Sequence, residues 1–172
     1  QRIDDVALVT GSVEFIDNIS LPEMLHCAMK YSSVAHARIL RVDTSRAEQL
    51  PGVVAIITGD DVRRLTTRSG GFPEGTGSYC MAGDKVHYVG EPVAAVAAVS
   101  RHVAEDAVEL IDVEFEPLAP AVNTLEAMQP GSPLVIDELG SNVVLQRQFV
   151  WGPVAAAFAQ ADHVFKERFR WN

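Results

Sequence analysis

Cysteine is scarce in this sequence, and a long hydrophobic run is missing. Only Cys27 and Cys80 occur among 172 residues, with no Cys-x-x-Cys pair, which argues against a disulfide framework or a zinc clip. The longest apolar run, Val93–Val99, has seven residues, whereas a membrane-spanning helix needs about 20. No signal-peptide pattern is present, and the first residue is Gln1. We therefore expect a piece of a longer protein from a reducing compartment, the cytoplasm, without a membrane span.

Basic residues are also in short supply. Fourteen Lys and Arg stand against 23 Asp and Glu, which gives a formal net charge of -9. This sign repels phosphate backbones and anionic lipid, so nucleic acid and membrane surfaces are poor partners. The imbalance lies in the acidic band His102–Gln146, which has nine acidic residues and no Lys or Arg. Such a band is typical of a solvated face, and the alternative is a docking surface for a basic protein.

The remaining composition is that of an ordinary globular chain, 48% hydrophobic and 22% charged. Period-two and period-3.6 patterns interleave without regular β-α-β spacing, which favours an α+β fold with a mixed, mostly antiparallel sheet, two main helices and short helical turns. In the first strand, Leu25, Cys27 and Met29 form the face expected to be buried. Strands are predicted at 24–30, 38–42, 53–57, 85–89, 93–99, 112–116 and 162–171, extended pieces near 134–136 and 143–149, and helices near 45–50, 62–65, 101–111 and 154–161.

The glycine-rich loop between Thr66 and Asp84 invites a phosphate-binding interpretation, which its details do not support. Gly75-Thr76-Gly77 lacks a third glycine, and neither a preceding strand nor a following Gly-Lys-Ser/Thr is present. A mobile surface loop is the better interpretation.

Nucleophilic catalysis needs a hydroxyl or thiol, a base and an orienting group within reach of one another. The candidates are Ser32 or Ser33 with His36 and Asp43, and Cys80 with His87. No Gly-x-Ser-x-Gly elbow accompanies them. We expect His36 to donate a ring hydrogen bond to the backbone at the entrance to a strand.

Carboxylate pairs occur at Asp4-Asp5, Asp60-Asp61 and Asp137-Glu138, in loops or at helix starts, where capping explains them. Glu91 differs, because it lies between Gly90 and Pro92 at the start of a buried strand and must find hydrogen-bond donors there. We expect it to accept local backbone amides, and the alternative is a catalytic carboxylate. The residues alone thus predict a domain without a self-sufficient active site.

The order and spacing of many short motifs carry a family resemblance. They are Thr10-Gly11, 15–19, 21–26, 35–39, 43–45, 50–55, 58–60, 86–96 (Val-His-Tyr-Val-Gly-Glu-Pro-Val-Ala-Ala-Val), 104–107 and 113–118. This pattern resembles the start of the large, molybdenum-bearing subunit of the xanthine dehydrogenase, aldehyde oxidase and aerobic carbon monoxide dehydrogenase family. In that family the region is an α/β-hammerhead domain. Two stretches depart from it, Lys30–Ser33 and the loop 66–84.

The resemblance implies a domain organisation and a function. Residues 1–122 are expected to form the hammerhead domain, 123–150 a linker, and 151–172 the truncated start of the molybdopterin-binding domain, most like the carbon monoxide dehydrogenase branch. The whole enzyme would oxidise its substrate with oxygen derived from water. Its cofactors would be molybdopterin or molybdopterin cytosine dinucleotide, with iron-sulfur clusters and FAD on partner subunits or domains.

The resemblance assigns no catalytic, cofactor-binding or metal-binding residue to this chain, because the family's cofactor loops and catalytic glutamate follow later in the subunit. The isolated chain is accordingly expected to be inactive. The alternative from another class is a free-standing acidic interaction module whose band His102–Gln146 docks a basic partner.

Overall fold

A computed structural model describes residues 3–71, 73 and 76–169. The strands are β1 (His26–Tyr31), β2 (Ala37–Asp43), β3 (Val53–Thr58), β4 (Lys85–Val86), β5 (Pro92–Ala98) and β6 (Asp112–Pro117). The α-helices are α1 (Asp5–Val9), α2 (Ser45–Glu48), α3 (Gly59–Leu65), α4 (Arg101–Glu109), α5 (Thr124–Ala127) and α6 (Val154–Gln160), and 3-10 turns lie at Ile16–Asn18 and Asp137–Leu139. The α+β prediction is confirmed.

The strands form two three-stranded antiparallel sheets. Sheet A has the order β1-β5-β3, and sheet B has the order β4-β2-β6. The apolar run of β5 is central in sheet A and mostly buried, as its continuous hydrophobicity predicts. In β6 the alternation also holds, because Val113 and Phe115 are half-buried while Asp112, Glu114 and Glu116 are exposed.

The main core lies between sheet A and α4. Ser100 caps α4 by accepting the backbone N–H of Val103, and the helix then turns Ala104, Ala107 and Val108 onto the sheet. Opposite them the sheet presents small side chains, including Val96. Small residues on both surfaces let helix and sheet approach closely and bury apolar area with little side-chain entropy lost.

A second core, under sheet B, contains Ala37, Val86 and Val93, with Phe115 packed against it. Val113 contacts the buried residues of both cores. The two sheets therefore share one continuous apolar interior.

Helix α3 lies close to the loop that precedes β4. An added Cβ at Gly59 would stand 2.0 Å from the carbonyl oxygen of Ala82, so only glycine fits there. Thr58 and Asp61 form the capping box of this helix. The predicted capping role of the Asp60-Asp61 pair is thus confirmed for Asp61.

The face prediction for β1 is wrong. Cys27 and Met29 are exposed, whereas Ala28 packs against the main core. The alternation itself is correct, but α4 covers the face that carries the smaller residue. The covered face carries one apolar residue, Ala28, between half-buried His26 and Lys30. The more apolar side of a strand is therefore not always the side that a helix covers.

Several predicted bounds also need correction. Strand β4 ends at Val86 rather than at Val89, α4 ends two residues earlier than expected, and α6 ends one earlier. At α2 the residue before the helix is Thr44, whose hydroxyl donates to Glu48. Residues 162–169 are not a strand, and 170–171 lie outside the described residues. An isolated strand leaves its backbone groups unpaired, so alternation alone does not form one.

Both flanking regions expose their apolar side chains. In the first, α1 buries none of its residues, and Phe15 and Ile16 are exposed. In the second, Trp151 and Phe165 are exposed, and α6 buries none of its residues. Among the helices of the described ranges, none has the length and apolarity that crossing a bilayer requires.

Candidate functional site

The candidate site is a cleft between α3, the loop before β4, the start of β5 and the residues around Asp137. Its volume is about 410 Å³, within the usual range of small-molecule pockets. The walls carry both charged and aromatic side chains. Its lining includes Arg38, Arg63, Arg68, Tyr79, Cys80, Asp84, Lys85, His87, Tyr88, Glu91, Asp137 and Glu138.

Glu91 and His87 form a polar pair in the lining of the cleft. The Glu91 carboxylate is 8% exposed and accepts the backbone N–H of His87. Its oxygens also lie 3.1 and 3.2 Å from Nδ1 of the same histidine. Since a carboxylate accepts, Nδ1 carries the proton of this contact. The expectation that Glu91 accepts a local backbone amide is confirmed, and the ring contact adds to it.

Two ion pairs tie the rim of the cleft together. Lys85 Nζ donates to Asp137 at 2.7 Å, although the two residues are 52 positions apart. This hydrogen bond, with the charge of Lys85, holds the pKa of Asp137 below its usual value. Arg63 donates to Asp84 on the other side. The first pair fastens the segment after α5 to sheet B.

Tyr79 stands between two guanidinium groups. The Cζ atoms of Arg63 and Arg68 lie 5.9 and 5.7 Å from the centroid of its ring. These distances are those of cation–π contacts. The ring therefore holds the loop before β4 against α3, with Met81 buried beneath.

The proposed serine constellation is not assembled. Ser32 is buried and donates to the carbonyl of Val34, whereas Ser33 is exposed. Asp43 accepts from Ser45 and Arg41, and the hydroxyl and backbone N–H of Ser45 hold the pKa of Asp43 below its usual value. Ser32 and Asp43 thus each bond to a residue other than the supposed catalytic partner.

His36 behaves as a structural histidine. Its Nδ1 lies 2.8 Å from the carbonyl oxygen of Ala119, so this nitrogen carries the proton. This bond joins His36, the residue before β2, to Ala119. The backbone N–H of Leu118 also donates to the His36 carbonyl. The prediction of a ring-to-backbone bond at a strand entrance is confirmed.

Cys80 and His87 do lie on the same cleft, which the thiol hypothesis required. His87 is already bound to Glu91, and no hydrogen bond joins its ring to Cys80 in the described ranges. The pairs Asp4-Asp5 and Asp137-Glu138 lie at helix starts as expected, but the predicted capping is wrong for them. Asp4 makes no side-chain cap hydrogen bond, and Asp137 binds Lys85 instead. Within the part of the chain that the structure describes, no three His, Cys, Asp or Glu side chains are grouped to hold a metal ion.

The cleft therefore has the size of a ligand pocket, while its charged groups mainly bind one another. Sequence reasoning found Glu91, His87 and Cys80 but missed the pairing of Lys85 with Asp137. No local pattern indicates a contact across 52 positions. The only sequence signal for this pairing was a difference in charge: Lys85 is basic and starts a predicted strand, and Asp137 belongs to the acidic band.

The molecule is thus an α+β domain whose polar groups join segments of its own chain. The family model described as "Aldehyde oxidase and xanthine dehydrogenase, a/b hammerhead domain" matches residues 10–119. The chain belongs to this family. The resemblance inferred from the motifs is thereby confirmed, together with the hammerhead fold.

Individual relatives support the same family assignment. The chain is 34% identical over 185 residues to the carbon monoxide dehydrogenase large chain of Afipia carboxidovorans, with 100% of this chain and 23% of that protein covered. It is 35% identical over 170 residues to the nicotine 6-hydroxylase large subunit of Paenarthrobacter nicotinovorans, with 95% and 20% covered. The solved quinoline 2-oxidoreductase of Pseudomonas putida 86 matches with a TM-score of 0.81 and 38% identity over 94% of this chain and 21% of that one. The chain thus spans less than a quarter of their length.

Proposed function

We propose that this chain is the hammerhead domain of the large subunit of a molybdenum hydroxylase and acts there as scaffold and interdomain surface. The observation that carries the proposal is the match along 100% of the chain to less than a quarter of a carbon monoxide dehydrogenase large chain. The polar side chains of the cleft support it, because Lys85, Arg63 and Glu91 are engaged in contacts within the chain.

In this proposal residues 1–122 are the hammerhead domain, 123–150 the linker and 151–172 the start of the molybdopterin-binding domain. Molybdopterin or its cytosine dinucleotide is held by the rest of the subunit, where it supplies the redox chemistry. Iron-sulfur clusters and FAD reside on partner subunits or domains in the cytoplasm. The residues of this chain contribute position rather than reacting groups. The substrate of the whole enzyme is carbon monoxide, an aldehyde or a heterocycle.

The test compares the 172-residue chain with the large subunit encoded by the longer reading frame. Metal analysis and methylene-blue reduction are measured on both. We expect molybdenum and dye reduction with the assembled subunit only. Molybdopterin or turnover on the 172-residue chain would refute the scaffold role, and a reading frame that stops at Asn172 would refute the subunit assignment.

The second candidate is a free-standing module that docks a basic protein. The observation in its favour is the exposed acidic surface of α4 and β6, which carries Glu105, Asp106, Glu109, Asp112, Glu114 and Glu116. Binding to a basic protein that weakens from low to high salt, together with a reading frame ending at Asn172, would favour this module. Salt-independent behaviour would exclude it.

A further inference from the structure

One face of sheet A is apolar and largely uncovered. In register across the three strands lie two rows, Cys27–Ala97–Ala55 and Met29–Ala95–Ile57. Exposed Leu25 continues this face just before β1. We call these seven residues the outer face. None of them is charged.

The two faces of sheet A are covered very differently. On the inner face, α4 buries Val96 and Ala98. On the outer face, only Ala95 is buried, beneath Val62 and Met81. The larger side chains there stay open, with Leu25, Met29 and Ile57 42% to 43% exposed.

Neighbouring residues of one sheet that are apolar, uncharged and exposed mark a contact surface rather than a solvated one. A solvated strand face usually alternates to polar or charged residues, as β6 does with Glu114. Edge strand β1 adds unpaired backbone groups along the same border. A protein surface that covers the outer face must therefore be apolar and carry little charge.

We infer that the outer face is covered by the remainder of the same large subunit, an inference that rests on the proposed function. The relatives supply more than three quarters of their length beyond the part that this chain matches, so each holds enough chain to cover a sheet face. The lack of charge argues against a basic partner here, since such a partner would meet the acidic surface of α4 and β6 instead.

Cys27 is a native reporter at this surface, because it is an exposed free cysteine in the row beside Ala97. Iodoacetamide labelling of the Cys27 peptide is followed by mass spectrometry in the 172-residue chain and in the complete large subunit. We expect labelling in the subunit to be slower by about tenfold or more, because reaction there requires local opening. Denatured samples of both give the reference rate.

Equal labelling of Cys27 in chain and subunit would overturn the inference while leaving the proposed function intact. If Cys27 is already labelled slowly in the isolated 172-residue chain, and more slowly at higher chain concentration, a second copy of the chain covers the outer face. That result would also overturn the inference. A subunit without molybdenum would instead count against the proposed function.

A charge introduced into the outer face gives a second readout. Ala55 is exposed, so Ala55→Lys should leave the circular dichroism of the 172-residue chain unchanged. In the large subunit the same change should lower the yield of soluble, molybdenum-containing protein, because it buries an unpaired ammonium group. Ala119→Lys, at an exposed position outside the outer face, is the matched control. Equal yields of the two variants would contradict the inference.

Discussion

Glu91 holds both the backbone and the ring of His87: it accepts the N–H of that residue, and its Oε1 lies 3.1 Å from Nδ1. The pair closes the turn between β4 and β5. Tyr88, the residue after His87, also accepts the backbone N–H of Glu91 with its carbonyl, at 3.3 Å. A sharp connection between the two sheets is thereby fixed by one buried carboxylate.

Removing this carboxylate should destabilise the chain. In Glu91→Ala, the N–H of His87 loses its carboxylate acceptor, and we expect the free energy of unfolding to fall by about 1.5–3 kcal/mol. Glu91→Gln keeps an acceptor oxygen and should lose less. Urea unfolding measures both, with the exposed Glu109→Ala as control. A loss in Glu91→Ala no larger than in the control would show that the carboxylate is dispensable.

Gly59 should tolerate no side chain. The Cβ of Gly59→Ala would meet the carbonyl of Ala82 at 2.0 Å, a backbone atom that cannot rotate away. We expect a loss of about 2 kcal/mol or more in unfolding free energy from this overpacking. Gly70→Ala is the matched control, because nothing lies within 4 Å of its added Cβ. Equal thermal midpoints for the two variants would refute the close approach.

Acid should weaken the start of α3. The backbone N–H and hydroxyl of Thr58, followed by Arg64, hold the pKa of Asp61 below its usual value. Because the folded-state pKa is the lower one, this stabilisation is complete above the unfolded pKa of about 3.9 and is lost as the pH falls through the folded value.

The measurement is the free energy of unfolding in urea across the acidic range. Asp61→Asn should flatten its decline below about pH 4. Asp60→Asn, at the exposed neighbouring position, should retain the slope of the parent chain. Parallel curves for the parent and Asp61→Asn would rule out this linkage.

The contact between Lys85 and Asp137 should protect the segment after α5. In Asp137→Asn the charge that pairs with the largely buried Lys85 is removed, and we expect faster protease cleavage between residues 128 and 142. Glu138→Gln, one residue further along, should be cleaved like the parent chain. Identical digestion of all three would mean that the ion pair does not hold this segment.

The exposed aromatic residues after the hammerhead region should promote self-association. Phe165 and Phe169 are 88% and 92% exposed, and such side chains favour non-specific contacts. A version ending near Val122 should scatter less light than the 172-residue chain at equal concentration. Ending the chain at Asn142 instead keeps the Lys85–Asp137 contact and separates the two effects. Equal monodispersity of all versions would contradict this prediction.

The sequence predicted those parts of the fold whose patterns are local. The buried strand β5, the helix α4 and the strand β6 could each be predicted, because the spacing of apolar residues within each segment indicates its secondary structure. The buried face of β1 could not, since Cys27 and Ala28 are both small and apolar. Which of them faces inward depends on where α4 lies.

Among the contacts of the candidate site, the local ones could likewise be predicted from the sequence and the long-range ones could not. The Glu91 interaction involves a residue four positions away and could be expected from the Gly90–Pro92 break. The contacts of Lys85 with Asp137 and of Arg63 with Asp84 join distant positions, 52 and 21 residues apart. Such pairs follow from the assembled fold, and charge type alone does not select the partner.

Val113 contacts the buried residues of both apolar cores. Separating the two sheets would therefore remove side-chain contacts from the core of sheet A and α4 and from the core under sheet B at the same time. Amide protons in both layers should then exchange with solvent through the same opening event rather than through independent ones. The domain should consequently open as a single cooperative unit.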